Sequence, residues 1–138
     1  MQKSLFVLLL AAGLRAAAQA PTPTPLTAHL DKVRLTFALG ADGRPSYTIA
    51  YGQQPVVQPS RLGLVFQDGQ GFDGALTLTG SEIKDVDETW QPVWGEVKNI
   101  RNHYQQLTVH LRQKAAPGRR LDVVFRVFAD GVGFRYEL

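Results

Sequence analysis

The densest collection of groups able to do chemistry runs from Asp87 to Tyr104: Asp87-Glu88-Thr89-Trp90-Gln91-Pro92-Val93-Trp94-Gly95-Glu96-Val97-Lys98-Asn99-Ile100-Arg101-Asn102-His103-Tyr104. Glu88 and Glu96 flank the two indoles and invite a general acid and base. General acid–base work by two carboxyls needs them to face each other across a bound substrate. That requires a formed cleft, whereas pairing with Arg101 or capture of backbone amides accounts for the same carboxylates, so no catalytic residue is assigned. Trp90, Trp94 and Tyr104 can stack on the apolar faces of sugar rings, or bury apolar area between loop and sheet or at a domain interface, where Trp and Tyr concentrate. Burial, in either of these forms, is preferred over stacking, and Glu96 belongs to the same carbohydrate-or-interface group.

Other chemistries find less support. The acidic residues Glu82, Asp85, Asp87 and Glu88 are rich in oxygen but lack the spacing of a calcium loop, and they read as a solvated turn. His103 has no nucleophile in a recognisable constellation and reads as a hydrogen-bonded structural histidine. Ser60 lacks the G-x-S-x-G context. Gly69, Gly71 and Gly74 precede no helix, so they build no phosphate cradle. With no cysteine in the chain, disulfides, thiolate metal sites and a cysteine nucleophile are excluded together.

These groups must be positioned by strands. Val33, Leu35, Phe37 and Leu39 alternate with Arg34, Thr36 and Ala38, which puts one set of side chains on a buried sheet face. Ala41-Asp42-Gly43-Arg44 supplies a turn, and Tyr47, Ile49 and Tyr51 resume the alternation, predicting a hairpin, with a second turn at Gly52-Gln53. Further strands are predicted over 62–66, 75–78, 106–112, 121–128 and 132–138. The stretch from Leu121 to Phe128 is apolar on both faces and should lie centrally in its sheet. The region from Asp87 to Tyr104 reads as irregular, since Pro92 and Gly95 interrupt any ladder. No stretch offers a long amphipathic helix, so the fold class is all-β and antiparallel.

The 138 residues allow one domain at most. Met1-Gln2-Lys3, the apolar run from Leu5 to Gly13 and Ala18-Gln19-Ala20 form the pattern of an export signal over 1–20. This run is far short of the ~20 residues that span a bilayer, so no retained membrane segment is expected. Residues 21–28, opening with Pro21-Thr22-Pro23-Thr24-Pro25, read as a spacer, and the domain as 29–138. Of the 15 basic residues, Lys3 and Arg15 fall in the signal, leaving 13 against 12 acidic ones. That balance, with scattered cations, argues against nucleic acid as a partner. Export to the periplasm or the extracellular space is expected.

The run DETWQPVWGEVKNIRNHY, with PSRLGL at Pro59 to Leu64 and FRVFADGVGFRYEL at Phe125 to Leu138, closely resembles the amino-terminal domain of glycoside hydrolase family 97. The resemblance covers His29 to the end, in three separated blocks. It implies an antiparallel β super-sandwich attached to a catalytic (β/α)8 barrel in exported α-glucosidases and α-galactosidases acting on oligosaccharides. The barrel alone needs ~250 residues, more than this chain provides. The expectation is therefore a non-catalytic, truncated domain, inactive alone, whose partner is the missing barrel. A free-standing carbohydrate-binding module and a remnant without ligand are the alternatives. The resemblance also implies calcium in the complete enzyme, with Asn102 and Glu137 as candidate ligands. Two oxygens fall well short of the six to eight that calcium takes, so no cofactor is expected for this chain alone.

Overall fold

The computed structural model describes residues 25–67 and 69–138. The expected signal over 1–20 and residues 21–24 of the expected spacer lie outside those residues. Among the described residues there are eight strands and no helix: β1 (Leu26–Leu30), β2 (Val33–Leu39), β3 (Pro45–Tyr51), β4 (Gln54–Arg61), β5 (Leu76–Trp90), β6 (Ile100–Gln113), β7 (Arg120–Val127) and β8 (Val132–Glu137). They form two antiparallel four-stranded sheets, β1-β2-β3-β4 and β5-β6-β7-β8, each in sequence order. The all-β antiparallel class expected from the alternation and the sandwich implied by the resemblance are both the observed architecture.

The core follows from period two. Val33, Leu35 and Phe37 of β2 face Leu107, Val109 and Leu111 of β6 and Leu121, Val123, Phe125 and Val127 of β7 across the sandwich, all buried. Phe125 is fully buried and its ring lies 6.3 Å from Phe37 and 6.1 Å from Tyr47. As expected, β7 is central and apolar on both sides: Val124, on its outer face, is also buried. Leu62 and Phe72, from the segment between the sheets, complete the core cluster.

The sheets are joined where the β2–β3 turn meets the start of β5. Ala75 N–H donates to Asp42 O (3.0 Å) and Leu76 N–H to Gly43 O (3.1 Å). Gly43 has φ of 73°, and a Cβ there would collide with the backbone of Ala75 and Leu76. Only glycine meets both demands.

Several boundaries differ from the expectation, each for a physical reason. Residues 62–66 are not a strand: the neighbouring β4 is, and Val65 makes a single bridge to Gly71. Pro55 and Pro59 disguise β4, but it is an edge strand, where a missing amide is tolerated. The chain is already paired at Leu26, three positions before the expected start of the domain, because Leu26 and Ala28 lie in register with Phe37 and Leu35. The largest difference is at 75–78 and 87–104. Strand β5 runs to Trp90 and β6 begins at Ile100, so Glu82, Asp85, Asp87 and Glu88 stand on a strand rather than in a turn, and only 91–99 is loop.

A core-truncating change should register strongly. Phe125→Ala is expected to cost about 3–5 kcal/mol of unfolding free energy, while Val93→Ala, at a fully exposed position, stays within ~0.5 kcal/mol. Chemical denaturation of the two variants checks both.

Candidate functional site: the β5–β6 arm

Strand β7 pairs with β6 only from Gln105 to Arg112, yet β5 and β6 continue pairing out to Trp90 and Ile100. The excess, residues 86–90 and 100–104, is a two-stranded arm projecting roughly 15 Å beyond the sheet. Isolated two-stranded ribbons are marginal in water, so this one depends on cross-strand side-chain pairs. Three cross-strand links provide them, two between direct partners and one diagonal. Gln105 Nε2 donates to Asp85 Oδ1 (2.8 Å), Arg101 grips Asp87 through Nε (2.8 Å) and Nη2 (2.7 Å), and Asn102 Nδ2 donates to Glu88 Oε1 (2.8 Å). Gln105 also accepts from the backbone N–H of His29 (2.8 Å), which fastens the root of the arm to β1 of the opposite sheet.

The arm has two faces. Asp85, Asp87, Arg101, His103 and Gln105 alternate to the side of the core-facing residues, and the Arg101 hydrogen bond, with charge attraction from Arg101 and His103, holds the Asp87 carboxyl below its ordinary value of 3.8. The outer face carries Trp90, Glu88 paired with Asn102, and Val86 paired with Tyr104. Tyr104 then meets Phe128 (ring centroids 5.4 Å) and lies under the guanidinium of Arg126 (4.6 Å). Arg126 in turn donates through Nε to Gln106 (3.2 Å).

The structure places the expected site residues unequally. Trp90 and Asn102 share the outer face of the arm with Glu88, while Trp94 and Glu96 sit in the loop 91–99. Trp94 is 88% exposed and Trp90 51%, so neither fills a gap between loop and sheet. Tyr104 is 6% exposed and sealed by Phe128 and Arg126, so its ring face is not offered to a ligand. His103 stands half-buried opposite Asp87. Sequence reasoning passed over Arg126 and Phe128, which close the root of the arm; the signal was the apolar residue following Val127, out of step with the core set.

Asn102 and Glu137 do not converge. Glu137 aligns with Asp122, and Asp122 with His110, so it lies about 26 Å along the sheet from Asn102. Glu137 is also held by Arg135 Nε (2.8 Å) and Nη2 (2.7 Å). The two do not fit a shared calcium site, and among the described residues no group of three or more His, Asp or Glu side chains is placed to hold a metal ion.

The arrangement is that of a supporting β-sandwich domain with an aromatic-tipped arm: Glu88 is committed to Asn102, and Glu96 belongs to an exposed loop. Comparison with known proteins then fixes the family. Residues 31–138 match the glycosyl-hydrolase 97 N-terminal family, and the chain belongs to it. A retaining α-galactosidase of Bacteroides thetaiotaomicron is 25% identical over 134 residues, 97% of this chain and 19% of that protein. Among solved structures, a glycoside hydrolase family 97 enzyme from Pseudoalteromonas sp. strain K8 in complex with acarbose superimposes with a TM-score of 0.74 at 25% identity, over 83% of this chain and 17% of that one. A β-arabinopyranosidase follows with a TM-score of 0.66 at 30% identity, covering 76% of this chain and 16% of that one. The chain thus spans under a fifth of the length of these relatives.

The ion pair on the arm supplies a pH signature. A carboxyl whose folded pKa is depressed contributes stability above its unfolded pKa and loses it as pH falls through the folded value. Arg101→Gln should therefore return the Asp87 titration upward to the ordinary aspartate range, followed by carboxyl-carbon NMR, and the arm amides should shift over that higher range.

Proposed function

We infer that this chain is the non-catalytic amino-terminal sandwich of an exported family 97 glycoside hydrolase of the α-galactosidase or α-glucosidase type, and that its arm docks against a catalytic barrel carried by a longer polypeptide. One observation carries the reading: the arm tip presents Trp94, Val93, Val97 and Trp90 to solvent, on a ribbon braced by cross-strand side-chain links, in a domain that makes up less than a fifth of its relatives. Clustered exposed apolar side chains of this kind mark interaction surfaces, and a central tryptophan is the commonest anchor of such contacts. Ile83, exposed on the inward side of β5 near the root of the arm, adds apolar area beside it.

In the complete enzyme the arm would hold the barrel and close one side of its substrate site, with Glu88 and Asn102 on its outer face and Glu96 in its loop among the polar groups offered there. Export to the periplasm or outside the cell rests on the leader pattern over 1–20. Calcium belongs to this reading only through the barrel: Asn102 could offer its amide oxygen and Glu137 its carboxylate, but they lie too far apart to ligate one ion. The runner-up, a carbohydrate-binding module, is favoured by the exposure of both indoles and weakened by the burial of Tyr104.

The 138-residue chain is expected to release no nitrophenol from 4-nitrophenyl α-galactoside or α-glucoside; release abolished by Glu88→Gln or Glu96→Gln would overturn the assignment. Acrylamide should quench its tryptophan fluorescence efficiently, and extension by a barrel should shield it, with Trp94→Ala removing most of the difference. Binding of maltooligosaccharides by the unextended chain, lost in Trp90→Ala or Trp94→Ala, would instead establish the binding module.

A further inference from the structure

A cleft of about 410 Å³ opens on the outer face of the β5–β8 sheet, at the end remote from the arm, lined by Thr79, His110, Leu111, Arg112, Arg120 and Asp122. Its shape has a local cause. Thr79 is the extra residue of a bulge in β5, and Gly80 lies opposite His110, so no side chain covers the imidazole from that strand. The Thr79 hydroxyl donates to His110 O (3.1 Å), which leaves its oxygen able to accept.

The charges in the cleft are unbalanced in a specific way. Arg112 and Arg120 are direct partners in the β6–β7 ladder, and like charges placed opposite each other repel. Neither has a carboxylate partner among the described residues. Arg112 is steered by donating through Nε to Gly118 O (2.9 Å), which leaves its terminal nitrogens free as a fork. The nearby acids are engaged elsewhere: Asp122 Oδ1 meets His110 Nδ1 at 2.9 Å, and Glu137 is taken by Arg135. His110 is thus fixed by Asp122, with Nε2 left as a second polar contact, and the second Asp122 oxygen can accept from hydroxyls.

We propose that this cleft binds a small hydroxylated monocarboxylate of the sugar-acid class, its carboxylate held by Arg112 and Arg120 and its hydroxyls by His110, Asp122 and Thr79. The volume suits one monosaccharide-sized ligand. Paired guanidinium forks match a planar carboxylate, and the Asp122 carboxylate disfavours a doubly charged anion such as phosphate while accepting hydroxyl donors. The inference uses no residue of the arm and stands whether or not the arm docks on a barrel.

The test is titration of the full ¹⁵N-labelled chain with D-galacturonate, D-galactose, acetate and inorganic phosphate. Galacturonate is expected to shift the amides of His110, Arg112, Arg120 and Asp122 saturably, with at least tenfold tighter binding than any of the other three. Arg120→Gln, at an exposed position, should weaken binding tenfold or more with the remaining spectrum unchanged. Gly80→Val, which removes no charge, should do the same by filling the space over the imidazole, where a Cβ makes only ordinary contact with His110 (3.6 Å). No saturable shift, equal binding of galactose, equal binding of acetate or phosphate, or indifference to both substitutions would each overturn the proposal.

Discussion

The packing of β7 against the opposite sheet is the constraint on which the rest of this domain depends. Phe125 contacts Phe37 and Tyr47 from the facing sheet and Phe134 from β8, with centroid separations from 5.7 to 6.3 Å. A strand buried on its inner face at four alternate positions cannot slip by one residue without exposing all of them. Its register with β6 is thereby set, and with it the register of β5, which pairs only with β6. The cross-strand pairs of the arm and the opposed arginines of the cleft are both consequences of that one alignment.

The arm is what remains when strands of unequal length share a register. Because β7 ends at Val127, among the described residues no strand pairs with β6 from Ile100 to Asn102 on that side, and the arm has little core to draw on. Hydrogen-bonded and charged cross-strand links replace it, at Asp85–Gln105, Asp87–Arg101 and Glu88–Asn102. Exposed ion pairs of this type contribute little individually, yet each fixes the direction of two strands, and the Gln105–His29 bond ties the series to the sandwich. The apolar tip is consequently held away from the domain's own core, where it cannot fold back.

Much of the sandwich is legible in the sequence because period-two burial leaves its trace wherever one face is dry. The alternation from Val33 to Leu39 and the two-faced apolar run at β7 were sufficient to place the strands that build the core, and the family could be read from the blocks around Trp94, Pro59 and Phe125. The trace fails where strands are solvated. Along β5, Glu82 to Trp90 is exposed at nearly every position, so its pairing rests on backbone and polar side chains and looks, in sequence, like a turn. The same reason hid β4. As for the candidate site, the indoles and the Asn102–Glu88 neighbourhood could be picked out, but the burial of Tyr104 depends on Arg126 and Phe128, distant in sequence and brought close only by the ladder.

The outer face of the β5–β8 sheet shows how one surface can carry two different chemistries. Its middle is closed by Arg126 lying over Tyr104 and bonded to Gln106, with Phe128 against the same ring. On one side of this seal the face runs out along the arm to the tryptophans; on the other it drops into the cleft of His110, Arg112 and Arg120. The two regions share no side chain and lie on opposite sides of a stacked, hydrogen-bonded barrier. Asn102 on the arm and His110 in the cleft lie about 26 Å apart along β6, more than two Debye lengths at physiological salt, so an interaction at the arm has no direct electrostatic route to the cleft. Coupling between them would have to travel through the β6 backbone, whose register is held from beneath by Leu107, Val109 and Leu111. A strand so anchored resists displacement, and the two ends of the sheet are positioned to act independently.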